Sequence, residues 1–285
     1  MWTVETRARY DRGKLRYPTD LTDAEWALVA PLIPLAKRGG NKRTADMREV
    51  VDTLMYVLGT GCQWRAIPKD LAPRSTAYGY FARWDWDATL GRIHHALYVQ
   101  CRERAGRDAS PTAAIVDSQS VKGAEKGGAC IDPGGYDAGK KIRGKKIRGK
   151  KRHVLVDTQG LLMHAIVHAA DIQDRDGGVL LMATLFGAYP FLLKLYADGG
   201  YAGAQFQAGL AQVTRQVQVE IVKRSDTAKG FAVLPKRWIV ERTIAWLNRC
   251  RRLAKDWECL NRQALAFIHL ASIRLMIRKL CQTTI

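Results

Sequence analysis

The chain has 285 residues, 47% of them hydrophobic and 18 of them Trp or Tyr (8 and 10), with 46 Lys and Arg against 27 Asp and Glu for a formal net charge of +19. So apolar a composition excludes a disordered chain and leaves room for one or two domains. The cationic excess requires a polyanionic partner, nucleic acid ahead of an anionic membrane surface, and no apolar run approaches the ~18 residues of a spanning helix.

The opening stretch MWTVETRARYDRGK lacks the apolar segment of a secretory signal, and the six cysteines are scattered without a C-x-x-C pair. Both point to a reduced cytosolic setting, with neither disulfides nor a zinc site. Residues 21–109 read as helical. LTDAEWALVAPLIP opens on a capping box, Thr22 with Glu25, and ends near Pro34. DMREVVDTLMYVLGTG sets Val50, Val51, Leu54, Val57 and Leu58 on one stripe and stops at Gly59 or Gly61. CQWRAIPKDLAPRSTAYGYFARW then reads as a short helix, a turn and a second helix that Ser75 could cap, with Arg74, Tyr78, Tyr80 and Arg83 on it. Such a unit suits a helix-turn-helix DNA reader, with Arg74 and Arg83 as DNA contacts, or an ordinary helical bundle with surface arginines.

After AGRDASP the texture changes to short apolar runs: TAAIVDSQSV, RHVLVDTQG, LLMHAIVHAA, FLLKLYADGG and VQVEIVKR. With helices expected at DGGVLLMATLF and over 203–213, three strands precede an alternation of helix and strand. This order predicts an α/β fold, a mixed sheet flanked by helices, with helix again from Trp238 to Lys279. The predicted division is a helical domain over 1–109 and a sheet domain with C-terminal helices over 110–285.

Two apolar strands end in an acid, AAIV in Asp117 and LLKLYA in Asp198. If those strands are parallel neighbours, both carboxylates emerge at one edge, where open α/β sheets place their sites; alone, each acid could simply begin a turn. In PKRWIVERTIAWLNRCRRLAKDWE a helical reading puts Ile239, Trp246, Cys250, Leu253 and Trp257 on an apolar stripe. Glu241 then lies opposite, with Ala245, Asn248, Arg252 and Lys255. That face is either a salt-bridged solvent surface or a metal ligand flanked by phosphate binders.

These segments together, from YPTDLTDAEWALVAPLIP and GTGCQWRAIPKDLAP through IVDSQSVK, KRHVLVDTQGLL, AADIQDRDG and YADGGYAG to VEIVKRSDTAKGFAVLPKRWIVERTIAWLNRCRRLAKDWE, resemble the DDE transposases of bacterial insertion sequences, specifically the insertion-sequence-five family. The resemblance covers almost the whole chain. It implies a ribonuclease-H-like core, an N-terminal domain for end recognition, and Asp117, Asp198 and Glu241 as catalytic acids and metal ligands. It further implies two Mg²⁺ ions (or Mn²⁺), DNA strand cleavage at the element's ends with strand transfer into target DNA, a homodimer on double-stranded DNA, and a bacterial cytoplasmic, nucleoid-associated location. Three carboxylates without His or Cys suit Mg²⁺. The wider class carries Y-x2-R-x3-E-x6-K around the Glu. Arg237 matches the Arg, while Leu234 and Asn248 stand at the Tyr and Lys positions, leaving Arg249, Arg252 or Lys255 to substitute. The competing reading is a catalytically inactive DNA-binding protein or repressor derived from a transposase. A ribosome-associated RNA binder would leave the carboxylates without purpose.

GKKIRGKKIRGKKRH, residues 139–153, holds nine cations and no acid and contains KKIRG twice. It lies between the first two expected strands and reads as a phosphate-binding arm of Lys140, Lys141, Arg143, Lys145, Lys146, Arg148, Lys150, Lys151 and Arg152, adjoined by Lys122, or as an inert loop. An insertion of five within a paired strand would reverse its faces, so the extra copy is expected to loop out.

Overall fold

A computed structural model describes Thr3, Gly39 and residues 11–36, 42–126, 129–142, 145–222 and 236–281; for 140–142 and 145–146 it describes the backbone alone. Four helices come first: α1 (Asp23–Val29), α2 (Met47–Thr60), α3 (Arg74–Trp86) and α4 (Thr89–Arg104). The capping box at α1 forms as expected. The Thr22 hydroxyl accepts from Glu25 N, and Thr22 N donates to the Glu25 carboxylate. The expected stripe of α2 is buried without exception. Asp46 caps this helix through Arg48 N, and it ends at Thr60.

The unit before α3 differs from the expectation. Its first helix is a single 3-10 turn, Trp64–Ala66, and α3 begins at Arg74 with Pro73 at the cap, so Ser75 caps nothing. Proline starts this helix because its fixed φ suits a helix entrance and it has no N–H to satisfy. Ala77, Phe81 and Trp84 turn inward, whereas Arg74, Tyr78 and Arg83 stay exposed.

Six strands follow: β1 (Ala113–Lys122), β2 (Gly135–Ile142), β3 (Lys145–Asp157), β4 (Leu162–Ala169), β5 (Lys194–Ala197) and β6 (Gln218–Ile221). β3 pairs antiparallel with β1, β2 and β4, while β1–β5 and β5–β6 are parallel. Helices α5 (Asp174–Ala183) and α6 (Ala204–Val213) make the βα crossovers such parallel pairs require. The result is a mixed α/β architecture, as expected, with one strand more than the five apolar runs.

The additional strand, β2, corrects the reading of the repeat. The second KKIRG copy does not loop out: residues 145–149 form the start of β3 and pair with β2. The register skips between Asp137 and Lys141, so three residues of β2 face no partner. This bulge absorbs the change of register while the faces of β3 stay fixed. Gly149 fits where β1 and β3 close up, since a Cβ there would stand 2.0 Å from Val121 O.

The C-terminal region is two helices, α7 (Arg237–Leu247) and α8 (Asn261–Cys281), rather than one continuous run. α7 packs on β1 and β3. α8 lies chiefly among the N-terminal helices: Phe267 stacks on Phe81 at 4.6 Å, Ser272 meets His94 Nε2 at 3.0 Å, and the Cys101 thiol reaches Met276 O. A single continuous hydrophobic core results, extending from Leu54 and Leu58 through Phe267 to Ile115 and Leu155. None of the described helices is long and apolar enough to cross a membrane.

Candidate active site

β1 and β5 run side by side, with Ile115 opposite Tyr196 as the last pair, so two residues further on Asp117 and Asp198 leave neighbouring strands at the same end. The Asp117 carboxylate accepts from Ser118 N at 2.7 Å. Asp198 caps the 3-10 turn Gly199–Tyr201 and accepts from Gly200 N at 2.8 Å. Glu241 stands one turn into α7, four residues after Arg237. The Arg237 guanidinium lies 3.1 Å from the Glu241 carboxylate and 3.6 Å from that of Asp198, linking the helix acid to the strand acid.

Behind these acids lies a buried polar layer that sequence reasoning did not assign. The Ser118 hydroxyl donates to Asp174 at 2.9 Å, and Lys151 pairs with the same oxygen at 2.9 Å. Tyr201, 1% exposed, meets His153 Nδ1 at 3.0 Å. Burial raises its hydroxyl pKa well above the ordinary phenol value, and the charges of Asp117, Asp174 and Asp198 push it the same way. His168 stacks on His153 at 4.9 Å and is held below the usual histidine range, first by burial and then by the charge of Lys151. A signal for Asp174 was present: AADIQDRDG places an acid at a helix start directly after a strand.

The cations divide into two classes. Arg74, Arg83, Lys122, Arg148, Arg249 and Lys255 are exposed, and Arg237 is half-buried. Lys150, Lys151, Arg152 and Arg252 are buried, contrary to a phosphate-facing arrangement. Lys150 Nζ donates to Asp132 O, Pro133 O and Asn261, Arg152 donates to Leu253 O, and Arg252 pairs with Glu258 at 2.7 Å while reaching Cys62 O. Burial alone lowers Arg152 to about 10, against the pull of Asp256 and Glu258. The reason is alternation along β3: Lys150 and Arg152 point toward the C-terminal segment, Lys151 and His153 toward α5. Arg143 and Leu234 lie outside the described residues, as do the side chains of Lys140, Lys141, Lys145 and Lys146.

The expected apolar stripe on α7 is also corrected. Ile239, Cys250 and Leu253 are buried, but Trp246 and Trp257 are exposed. α7 stops at Leu247, so the 100° period does not reach Trp257, while Trp246 lies within the helix. Trp246 instead stacks with Trp238 on either side of Arg242, at 4.7 Å and 4.5 Å, exchanging core burial for cation–π contact.

Asp117, Asp198 and Glu241 present oxygen donors only, the chemistry that hard divalent cations favour. Among the described residues no group of three or more His, Cys, Asp or Glu side chains is gathered closely enough to hold a metal ion as arranged, Arg237 standing between two of the acids.

Comparison with known proteins places this geometry in a family. Residues 108–276 match the model of the "Transposase DDE domain", and residues 21–94 match that of a "Putative transposase of IS4/5 family". A "Putative transposase for insertion sequence element IS402" from Burkholderia cepacia is 31% identical over 146 residues, 47% of this chain and 64% of that protein. A second Burkholderia cepacia relative, "Insertion element IS402 uncharacterized 16.2 kDa protein", is 29% identical over 108 residues, 36% of this chain and 72% of that protein. The match thus spans a little under two thirds of the first relative's length. The domain match alone exceeds half the chain and contains all three predicted acids: the chain belongs to the DDE transposases of the IS4/5 type.

Proposed function

We propose that this chain is a transposase that cuts DNA at the ends of its element and joins the freed end to target DNA, and that its sheet is a ribonuclease-H-like core. The observation carrying this reading is the parallel β1–β5 pair, which brings Asp117 and Asp198 to one strand edge beside Arg237 and Glu241. In the first step a water oxygen bonds to the scissile phosphorus and the P–O3′ bond breaks, leaving a 3′-hydroxyl on the element. In the second, that hydroxyl attacks a target phosphodiester and the target's own 3′-oxygen leaves.

Asp117, Asp198 and Glu241 would hold divalent metal, Mg²⁺ or Mn²⁺ and two ions in this reading; when bound, such ions activate the attacking oxygen and stabilise the leaving one. The protein's own contribution is positioning. β1 and the turn after β5 fix two carboxylates from the rigid centre of the sheet, and α7, packed on β1 and β3, carries the third. Arg237 is the cation nearest the scissile phosphate, and exposed Arg249, Lys255, Lys122 and Arg148 extend a phosphate-binding surface from it. Arg74 and Arg83 on α3 contact the element end, and a homodimer on the DNA holds the two ends. The side chains of Lys140, Lys141, Arg143, Lys145 and Lys146 complete the arm in this reading.

The test is end cleavage on labelled linear DNA carrying both flanks of this gene's element, with Mg²⁺ or with EDTA. The expected result is Mg²⁺-dependent cuts at the element ends that Asp198→Ala abolishes. DNA that is bound but never cut in either buffer would instead identify an inactive DNA-binding derivative.

A further inference from the structure

Asp117 and Asp198 carry like charges, and the β1–β5 hydrogen-bond ladder stops before it reaches either of them, at Ile115 and Tyr196. The ladder sets the strands side by side, and contacts beyond its last pair complete the separation of the two acids. The Ser118 and Tyr201 side chains are hydrogen-bonded across the gap, and Asp174 adds a second bridge. Asp174, at the start of α5, takes the Ser118 hydroxyl on Oδ1 at 2.9 Å, tying it to the residue next to Asp117. Its other oxygen faces the turn that Asp198 caps: a Cβ on Gly200 would stand 3.3 Å from Asp174 Oδ2 and 2.9 Å from Asp198 Oδ1. Lys151, buried beneath, pairs with Asp174 at 2.9 Å and lies 3.8 Å from Asp137. This buried lysine offsets the negative charge that such a gathering of carboxylates concentrates.

We infer that Asp174 is a positioning residue of the active site, which spans the split between β1 and the turn after β5 and so sets the distance between Asp117 and Asp198. The inference rests on the proposed DDE chemistry for its functional meaning, and its geometry makes two demands. Removing the bridge must weaken metal binding, because outer residues that orient ligands typically contribute 10- to 100-fold in affinity. Gly200 must lack a side chain, because a methyl there would press on the carboxylates of Asp198 and Asp174.

The experiment is Mn²⁺ binding to the full-length protein without DNA, followed by the electron paramagnetic resonance signal of free Mn²⁺. It would be run on wild type, Asp174→Ala, Ser118→Ala, the double variant and Gly200→Ala, with unfolding midpoints recorded for each. We expect Asp174→Ala and Gly200→Ala each to weaken Mn²⁺ binding at least tenfold, and the double variant to lose less than the sum of the single losses, because both changes break the Ser118–Asp174 contact. Gly200 is exposed, so its variant stays folded even if Asp174→Ala does not. Wild-type Mn²⁺ affinity in either folded variant, or losses that simply add in the double variant, would overturn the inference. Wild-type protein that binds Mn²⁺ but cuts no element DNA would instead sink the functional proposal and leave the bridge standing.

Discussion

Lys150 and Arg249 have the same charge and opposite situations. Lys150 is buried and gives its ammonium to two backbone carbonyls and Asn261, whereas Arg249 is exposed beyond the end of α7. Replacing Lys150 by Met removes three hydrogen bonds from a buried ammonium, so we expect a stability loss of about 2 kcal/mol, read from the denaturant midpoint, with the salt dependence of DNA binding unchanged. Replacing Arg249 by Ala should leave the midpoint within about 0.5 kcal/mol and reduce the slope of log affinity against log salt by about one. At this scale the placement of the two strand acids was legible and the burial of the cations was not. Asp117 and Asp198 could be recognised because each closes an apolar run. The burial of Lys150, Lys151, Arg152 and Arg252 could not, because a tract of nine cations looks solvated until strand alternation and the distant partners Asn261, Asp174 and Glu258 are known.

Among the elements, the apolar strands and α2 were legible from periodicity, and β2 was not. GYDAGKKI holds two glycines, an aspartate and two lysines, all poor strand formers, and it becomes a strand because β3 offers it a partner. The end of α7 was equally hidden, since WLNRCRRL contains no proline or glycine to announce it. The hairpin leads to a definite expectation about the repeat. Deleting residues 145–149 leaves an identical KKIRG, residues 140–144, directly before Lys150. The remaining copy can then pair with Gly135, Tyr136 and Asp137 in the register the second copy now holds. Such a shortened hairpin should cost less than about 1 kcal/mol in thermal or denaturant unfolding. Loss of three cations should lower the salt slope of DNA binding by about 3 if the arm contacts phosphates. An unchanged slope would reduce the duplicated pentad to an inert extension.

For the molecule as a whole, the seam between the helical layer and the sheet is lined with neutral histidines. His94, 4% exposed, sits against Ser272 and His269, and burial, reinforced by the neighbouring histidines, holds it well below the ordinary histidine value. Burial lowers His164 and His269 to about 4 each. In the unfolded chain these groups titrate near 6.5, so between pH 6.5 and 4 the unfolded state binds more protons and stability rises with pH. Their contribution is therefore present above about pH 6.5 and lost as the pH falls toward 4. Moving from pH 7 to pH 5 should cost about 2 kcal/mol for each of His164 and His269, and replacing His269 by Gln should flatten that dependence in denaturant titrations. The seam was not legible beforehand, because His94 of α4 meets Ser272 of α8 across 178 residues and no local pattern reports so distant a contact.

In the proposed function, three acids from three separate elements act as one unit on DNA. Asp117→Asn, Asp198→Asn and Glu241→Gln should be compared with wild type in parallel gel-shift and single-turnover cleavage assays, on element-end DNA with Mg²⁺. We predict that all three variants bind the DNA within a fewfold of wild type and that each cuts at least about a hundredfold more slowly, because members of a catalytic unit fail together. A variant that cuts at the wild-type rate would contradict the account and remove that carboxylate from the site.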